Sequence, residues 1–375
     1  MSPDEKICSG RRAWPGVAAV AFSVFMGCAC APQEKPAARY ETLSMAPADE
    51  DDLVRVVPEG KIVAVDQPSF TGAEEAARFM RPEEMVVGVV VGGQPRAYSL
   101  WHLDRHEVVN DRSGELPFVV SWCPIAGTAR AFSRQVAGRE LNFLASGQLW
   151  RNALVLRDRE TRSLWSQVSG AALEGVLAGA ELSPLPVEVS SWSDWLRVHP
   201  DTLVLRKPRL EGPLYVRYRM NPDRVGLYGQ RRSDPRLAPK TEVLGVQAGG
   251  QALAVPLSEL RRARMWNGSV GAMPVLLAVL GSSGPELGYD RSVPGQVLSF
   301  EPEPDPFRAR DRETGTLWDL VSGRALEGAL AGQRLRRVVV LRAYWFIWSG
   351  YHPRTQLERI GAAAGAPLGS SARLP

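Results

Sequence analysis

The chain repeats itself, and this constrains its fold more than any single motif does. Asp158-Arg159-Glu160-Thr161 recurs as Asp311-Arg312-Glu313-Thr314, an offset of 311 − 158 = 153. At that offset and without a gap, Leu164-Trp165 meets Leu317-Trp318, Val168-Ser169-Gly170 meets Val321-Ser322-Gly323, and Leu173-Glu174-Gly175 meets Leu326-Glu327-Gly328. Trp192, Trp195, His199 and Pro200 meet Trp345, Trp348, His352 and Pro353. Upstream the match continues at 245 − 88 = 157, where Gly88-Val89, Gly92-Gly93-Gln94, Ala97, Asn110 and Pro117 meet Gly245-Val246, Gly249-Gly250-Gln251, Ala254, Asn267 and Pro274. A self-match of this kind predicts two copies of one folding unit. The expected organisation is a signal at 1–27, a flexible tether at 28–59, module 1 at 60–208, a linker at 209–237, module 2 at 238–358 and a disordered tail at 359–375.

Each copy reads mainly as strands. Met85 to Val91 is an apolar run closed by Gly92-Gly93, a turn signal, and Gln94 to Leu100 supplies a return strand. Further strands are expected at 118–122, 129–136, 139–144 and 153–157. Apolar spacing over 100–109 predicts a short helix, as does Ser191 to Val198, where Trp192, Trp195 and His199 share a face and Pro200 stops the chain. The expected class is α+β and β-rich: two tandem, pseudo-symmetric copies of one mainly-β module with short helices. Whether each module is a barrel or a sandwich stays open.

The N-terminus reads as an address. Lys6, Arg11 and Arg12 precede an apolar run from Ala13 to Met26, which has the length of a signal-peptide core and is too short to span a bilayer. The run ends in Phe25-Met26-Gly27-Cys28, similar to the lipobox of bacterial lipoproteins. Acyl chains on Cys28 would anchor the protein to a membrane. The expected location is the cell envelope, as a periplasm-facing lipoprotein, on the outer membrane in a Gram-negative cell. Ordinary secretion is the alternative. The net charge of +4 comes without a basic run, so no nucleic-acid partner is expected.

Four cysteines, at 8, 28, 30 and 123, leave one in the body of the chain, which excludes a disulfide-stapled scaffold. A duplication is its own control: what both copies keep serves the fold, and what one keeps is a candidate for chemistry. Both keep Trp165/Trp318, the pairs Trp192/Trp195 and Trp345/Trp348, and the helix-end pair His199/His352. These read as structural, the tryptophans as core anchors and the histidines as rings bonding backbone carbonyls. Module 1 alone has Cys123 in Trp122-Cys123-Pro124 and His106-Glu107, where module 2 has Leu280 and Ala263-Arg264. His102 and Asp104 are likewise replaced, by Glu259 and Arg261. Thiolate and imidazole suit nucleophilic, redox and soft-metal chemistry near neutral pH. The opposing reading makes Cys123 a small buried hydrophobe.

Several of these segments together resemble a bacterial family of uncharacterised proteins, DUF3179. They are Asp66-Gln67-Pro68-Ser69-Phe70, Gly93-Gln94-Pro95-Arg96-Ala97-Tyr98, His106-Glu107-Val108-Val109-Asn110-Asp111, Trp122-Cys123-Pro124, Ser146-Gly147, Leu164-Trp165-Ser166-Gln167 and the Trp-x-x-Trp-x-x-x-His-Pro helix. The resemblance covers about 60–358 and implies export or lipid anchoring. Relatives often carry Cys-Pro-x-Cys at the segment matching 123–126, and some resemble selenoproteins there, which implies redox chemistry. Here the second position is Ala126, so a dithiol cycle within the segment lacks its partner.

Three functions follow as expectations. The first is an envelope thiol site for redox or copper handling: Cys123 as thiolate or ligand, His106 as base or second ligand, Asp104, Glu107 or Asp111 orienting the ring, and His102 as a further ligand. Cu(I) needs only one thiolate and one or two imidazoles, whereas no zinc spacing is present. The second is a non-enzymatic binding or scaffold module for an envelope protein or small molecule. The third is acyl transfer or hydrolysis with Cys123 as nucleophile and His106 as base.

Overall fold

A computed structural model describes residues 51–361 except 210, 231 and 232. The expected signal, Cys28 and most of the expected tether and tail lie outside the described residues. Strand outweighs helix, 44% to 12%, and the strands fall into many small sheets joined by six short helices among the described residues.

Three sheets position the first half. Met85–Val91 and Gln94–Ser99 form a hairpin whose two-residue turn, Gly92-Gly93, has φ of 61° and 80°. Positive φ at both positions is what such a turn demands, and glycine adopts it without a Cβ clash. The hairpin is extended by Glu188–Ser191 on one side and by Leu203–Leu205 and Phe70–Gly72 on the other. A second sheet orders Pro184–Leu185, Thr128–Ser133, Leu116–Cys123 and Val108–Ser113. A third is built on the hairpin of Phe143–Trp150 and Ala153–Asp158. Its edge strand is Leu53–Arg55, with Leu53 opposite Trp150. The chain is therefore in register from Leu53, inside the segment expected to be tether, because Val54, Val56 and Val57 find apolar partners there. The segment between the halves is also structured: Val216–Met220 is a helix with Tyr218 fully buried.

Residues 242–357 carry sheets of the same strand order. Glu242–Ala248 and Gln251–Pro256 form a hairpin turned at Gly249-Gly250, followed by the helix Leu257–Ala263 and the antiparallel strands Met265–Val270, Met273–Val279 and Glu286–Asp290. The two halves meet along Thr128–Ser133 and Val340–Tyr344, and the Tyr344 N–H donates to the Ala126 carbonyl at 3.2 Å.

The second sheet of the first half is buried on both faces, and alternation divides its side chains. Val108, Val119, Cys123 and Phe132 face one core; Val109, Phe118, Val120, Trp122 and Ala131 face another. The large aromatic side chains satisfy their polar atoms. Trp165 Nε1 donates to Asp158 and Trp318 Nε1 to Asp311, each at 2.9 Å. Trp195 and Trp348 donate to Thr202 and Thr355 at 2.9 and 2.8 Å. Trp192 and Trp345 are buried on the same two helices. His199 and His352 cap those helices through their backbone N–H groups, which bond to Trp195 and Trp348 carbonyls. Their rings do not bond backbone carbonyls. His199 lies 3.9 Å from Glu188, and Gln247 Nε2 lies 2.7 Å from His352 Nε2. Each ring packs at a tilt against its helix's tryptophan, with centroids 4.1 and 4.3 Å apart.

Candidate functional site

Cys123 ends the strand Leu116–Cys123, where Pro124 stops the ladder and a turn closes with the Gly127 N–H on the Cys123 carbonyl at 2.9 Å. Its thiol is free and buried. Burial pushes the thiol up to about 12, with the nearby Glu107 adding to the rise. Backbone groups of Ala126, Leu154 and Ile125 that hydrogen-bond to the sulfur pull the other way.

Glu107 reaches the same place from the next strand. The helix Leu100–His106 starts at Ser99, whose hydroxyl caps the Trp101 and His102 N–H groups, and it ends at Glu107 with φ 56°. This left-handed conformation costs a non-glycine residue about 1 kcal/mol. The Glu107 carbonyl then accepts from the Trp122 N–H at 2.9 Å, which fixes the turn beside Cys123. The carboxyl is buried, and burial first, then the charge of Asp104, raises it to about 8. At neutral pH it is mostly the acid, a hydrogen-bond donor.

Cys123 and Glu107 line one cavity of about 30 Å³, roofed by Val57, Ile62, Tyr215 and Leu227. This is space for about one or two water-sized molecules. Gln148 lines it too, and its side-chain oxygen is buried without a partner. Glu107 and Gln148 therefore share this cavity with the thiol. Asp104 organises the cover: it accepts from Trp122 Nε1 at 2.9 Å and from the Leu214 N–H at 3.1 Å, and Arg219 lies 3.3 Å away.

The other candidates sit elsewhere. His106 Nδ1 bonds to the Val63 carbonyl at 2.7 Å, and its ring packs 4.4 Å from that of His102. Burial lowers its pKa, so it is neutral. His102 Nδ1 pairs with Glu211 at 2.9 Å. Neither imidazole shares a hydrogen bond with Cys123, and no group of three or more His, Cys, Asp or Glu among the described residues converges in a way that could hold a metal. Asp111 lies on the opposite face of the sheet from Cys123, bonded by Arg96 Nη1 at 3.0 Å and by the Tyr98 hydroxyl. Gln148 was not anticipated from the sequence, and neither was Arg130. Arg130 is buried on the Cys123 face without an ion pair among the described residues, and burial lowers it to about 10. Its signal lay in the ladders: Ser121 faces Arg130, whereas Ala278 faces Leu287.

The fold and the site thus define a β-rich protein with one buried thiol beside a buried carboxylic acid. The chain belongs to the DUF3179 family, described as a protein of unknown function, whose model matches residues 59–355. No curated protein and no solved structure matches it. No helix among the described residues is long and apolar enough to cross a membrane.

Proposed function

We propose that this is an exported lipoprotein, anchored through Cys28 to the cell envelope, in which Cys123 is a sulfur redox site reacting with a small hydroperoxide. The two halves are read as copies of one module, of which only the first keeps the site. The carrying observation is the Glu107 carboxyl, buried and raised to about 8 on the same small cavity that Cys123 lines. A hydroperoxide is small enough for this cavity and can accept from Glu107, and the cavity admits little larger.

The step balances without a metal. The Cys123 sulfur attacks the terminal oxygen of the hydroperoxide, so an S–O bond forms as the O–O bond breaks. Glu107 gives its proton to the departing oxygen and takes the thiol proton. The products are a sulfenic acid and an alcohol or water. A small external thiol returns the sulfenic acid to Cys123 in two steps, giving its own disulfide and water. At a pKa near 12 the free thiolate is scarce at pH 7, on the order of one in 10⁵, so removing the proton within the step is what Glu107 contributes. Copper handling has weaker support, since His106 and His102 bond elsewhere.

The test is oxidation of the purified folded protein by hydrogen peroxide, removal of the peroxide, and only then unfolding in denaturant with a dimedone probe, so that sulfenic acid formed in the fold is trapped and located by mass spectrometry. Labelling of Cys123 faster than in the unfolded chain, and slowed in Glu107→Gln, is expected. A folded protein that labels no faster than the unfolded chain overturns the reading. Lipidation is tested by the mass of the mature N-terminus, with the acyl increment lost in Cys28→Ala.

A further inference from the structure

Around the edge strand Val108–Ser113 of the Cys123 sheet lies an open cleft of about 330 Å³, within the range of small-molecule sites. Arg96, Arg112, Arg134, Asp66, Asp111 and Glu140 line it, with Asn110 and the apolar Pro68 and Phe70. These charges are already paired. Arg96 Nη1 lies 3.0 Å from Asp111, Arg134 lies 3.0 Å and Arg112 2.5 Å from Glu140, and Asp66 is held by Arg159 at 2.7 Å. The Arg96 guanidinium stacks 4.6 Å over the Phe70 ring and leaves its Nε without an acceptor.

The fold does not require this set. In the ladders, Val89 faces Arg96 and Val87 faces Tyr98, whereas Val246 faces Leu253 and Leu244 faces Val255. Phe118 faces Asp111 and Pro117 faces Arg112; at the matching rungs Val275 faces Gly268 and Pro274 faces Ser269. Two neighbouring polar residues do persist, with the same bonds. Asn110 and Asn267 each exchange two hydrogen bonds with the backbone, of Phe143 and Phe300 respectively. Arg134 and Arg291 each donate to a backbone carbonyl seven residues on, Leu141 and Leu298. Structural polar groups are thus retained, and the Arg96–Tyr98–Asp111 set is replaced by apolar and small residues. A buried ion pair is often no more stabilising than an apolar replacement, so folding gives no reason for it.

We propose that this cleft binds a neutral, hydroxyl-rich ring: one saccharide unit. The lining carries three guanidiniums and three carboxylates, so a net anion or cation meets as much repulsion as attraction. A sugar takes hydrogen bonds from both kinds of group. Rigid planar side chains match vicinal hydroxyls, and Pro68 with Phe70 offers an apolar platform for the ring's C–H face. The partly exposed Arg112 and Glu140 side chains supply one donor and one acceptor to such a ligand.

The test is titration calorimetry and ligand-observed NMR on the whole exported chain with D-glucose, D-galactose and N-acetyl-D-glucosamine, beside sodium acetate and inorganic phosphate. At least one saccharide is expected to bind, and acetate and phosphate are not. Arg112→Ala and Glu140→Ala remove partly exposed side chains. Each is expected to weaken binding about tenfold, the loss of one charge-assisted hydrogen bond, with the melting temperature held as the fold control. Binding of acetate or phosphate in place of sugar, silence from all three saccharides, or undiminished binding in both variants overturns the proposal.

Discussion

Gly88 lies directly beneath the indole of Trp195: a Cβ on Gly88 would stand 2.1 Å from Trp195 Cζ3, inside any real carbon contact. Gly245 and Trp348 repeat the relationship at 2.2 Å. Each glycine is a mid-strand residue, opposite Ala97 or Ala254, so its role is the absence of a side chain rather than an unusual φ. Gly88→Ala and Gly245→Ala should each destabilise the protein by about 3 kcal/mol, because neither buried tryptophan can retreat. Denaturant midpoints measure the loss. A shift no larger than that of an exposed Gly→Ala control would contradict the packing argument.

How far such features were legible depended on whether their cause was local. The Gly92-Gly93 turn and the helix ended by Pro200 were readable because turn chemistry and caps are written within a few residues. The strand Leu53–Arg55 was not, since its partner lies some ninety residues away at Gln148–Trp150. His106 and Glu107 show the limit within the site. Adjacent in sequence, they diverge because the helix ends between them and Glu107 turns left-handed, sending one side chain to Val63 and the other to the cavity. Comparing the halves pointed to this pair, but only burial decided which of the two lies beside the thiol.

The Glu107 carboxyl should make the protein less stable as pH rises. Its pKa is about 8 when folded, against an ordinary 4.5. The folded state holds the proton more tightly, so this stabilisation is complete below about pH 4.5 and is lost as pH passes through 8. The difference amounts to several kcal/mol at most. Melting curves between pH 5 and pH 9 should therefore fall in wild type and flatten in Glu107→Gln. Parallel slopes in the two proteins would show that Glu107 is not the titrating group.

Cys123 should be inert to bulky thiol reagents while the protein is folded. A buried thiol pushed up to about 12, behind a cavity of about 30 Å³, offers neither thiolate nor room. Reaction with Ellman's reagent at pH 7 should be at least ~100-fold slower than in denaturant, tracking the opening of the cover. Tyr218→Phe, which removes the bond from its hydroxyl to the Ile125 carbonyl at 2.8 Å, should accelerate it. Equal rates in folded and unfolded protein would place the sulfur at the surface.

An ion pair ties the two halves together. Arg337 Nη2 lies 2.6 Å from Glu188, with the His199 ring 3.9 Å away. Burial opposes the charge on Glu188, but Arg337 and His199 outweigh it and hold the carboxyl below its ordinary range. The stabilisation is therefore present above the unfolded carboxylate range and is lost as pH falls through the lower folded value. Arg337→Ala leaves that carboxylate buried beside only a histidine, and should cost about 3 kcal/mol or more. Replacing both partners, Glu188→Leu with Arg337→Met, should cost much less, since no unpaired charge remains. A double-mutant cycle from denaturant unfolding gives the coupling directly. Additive single losses would mean that the pair contributes nothing to joining the halves.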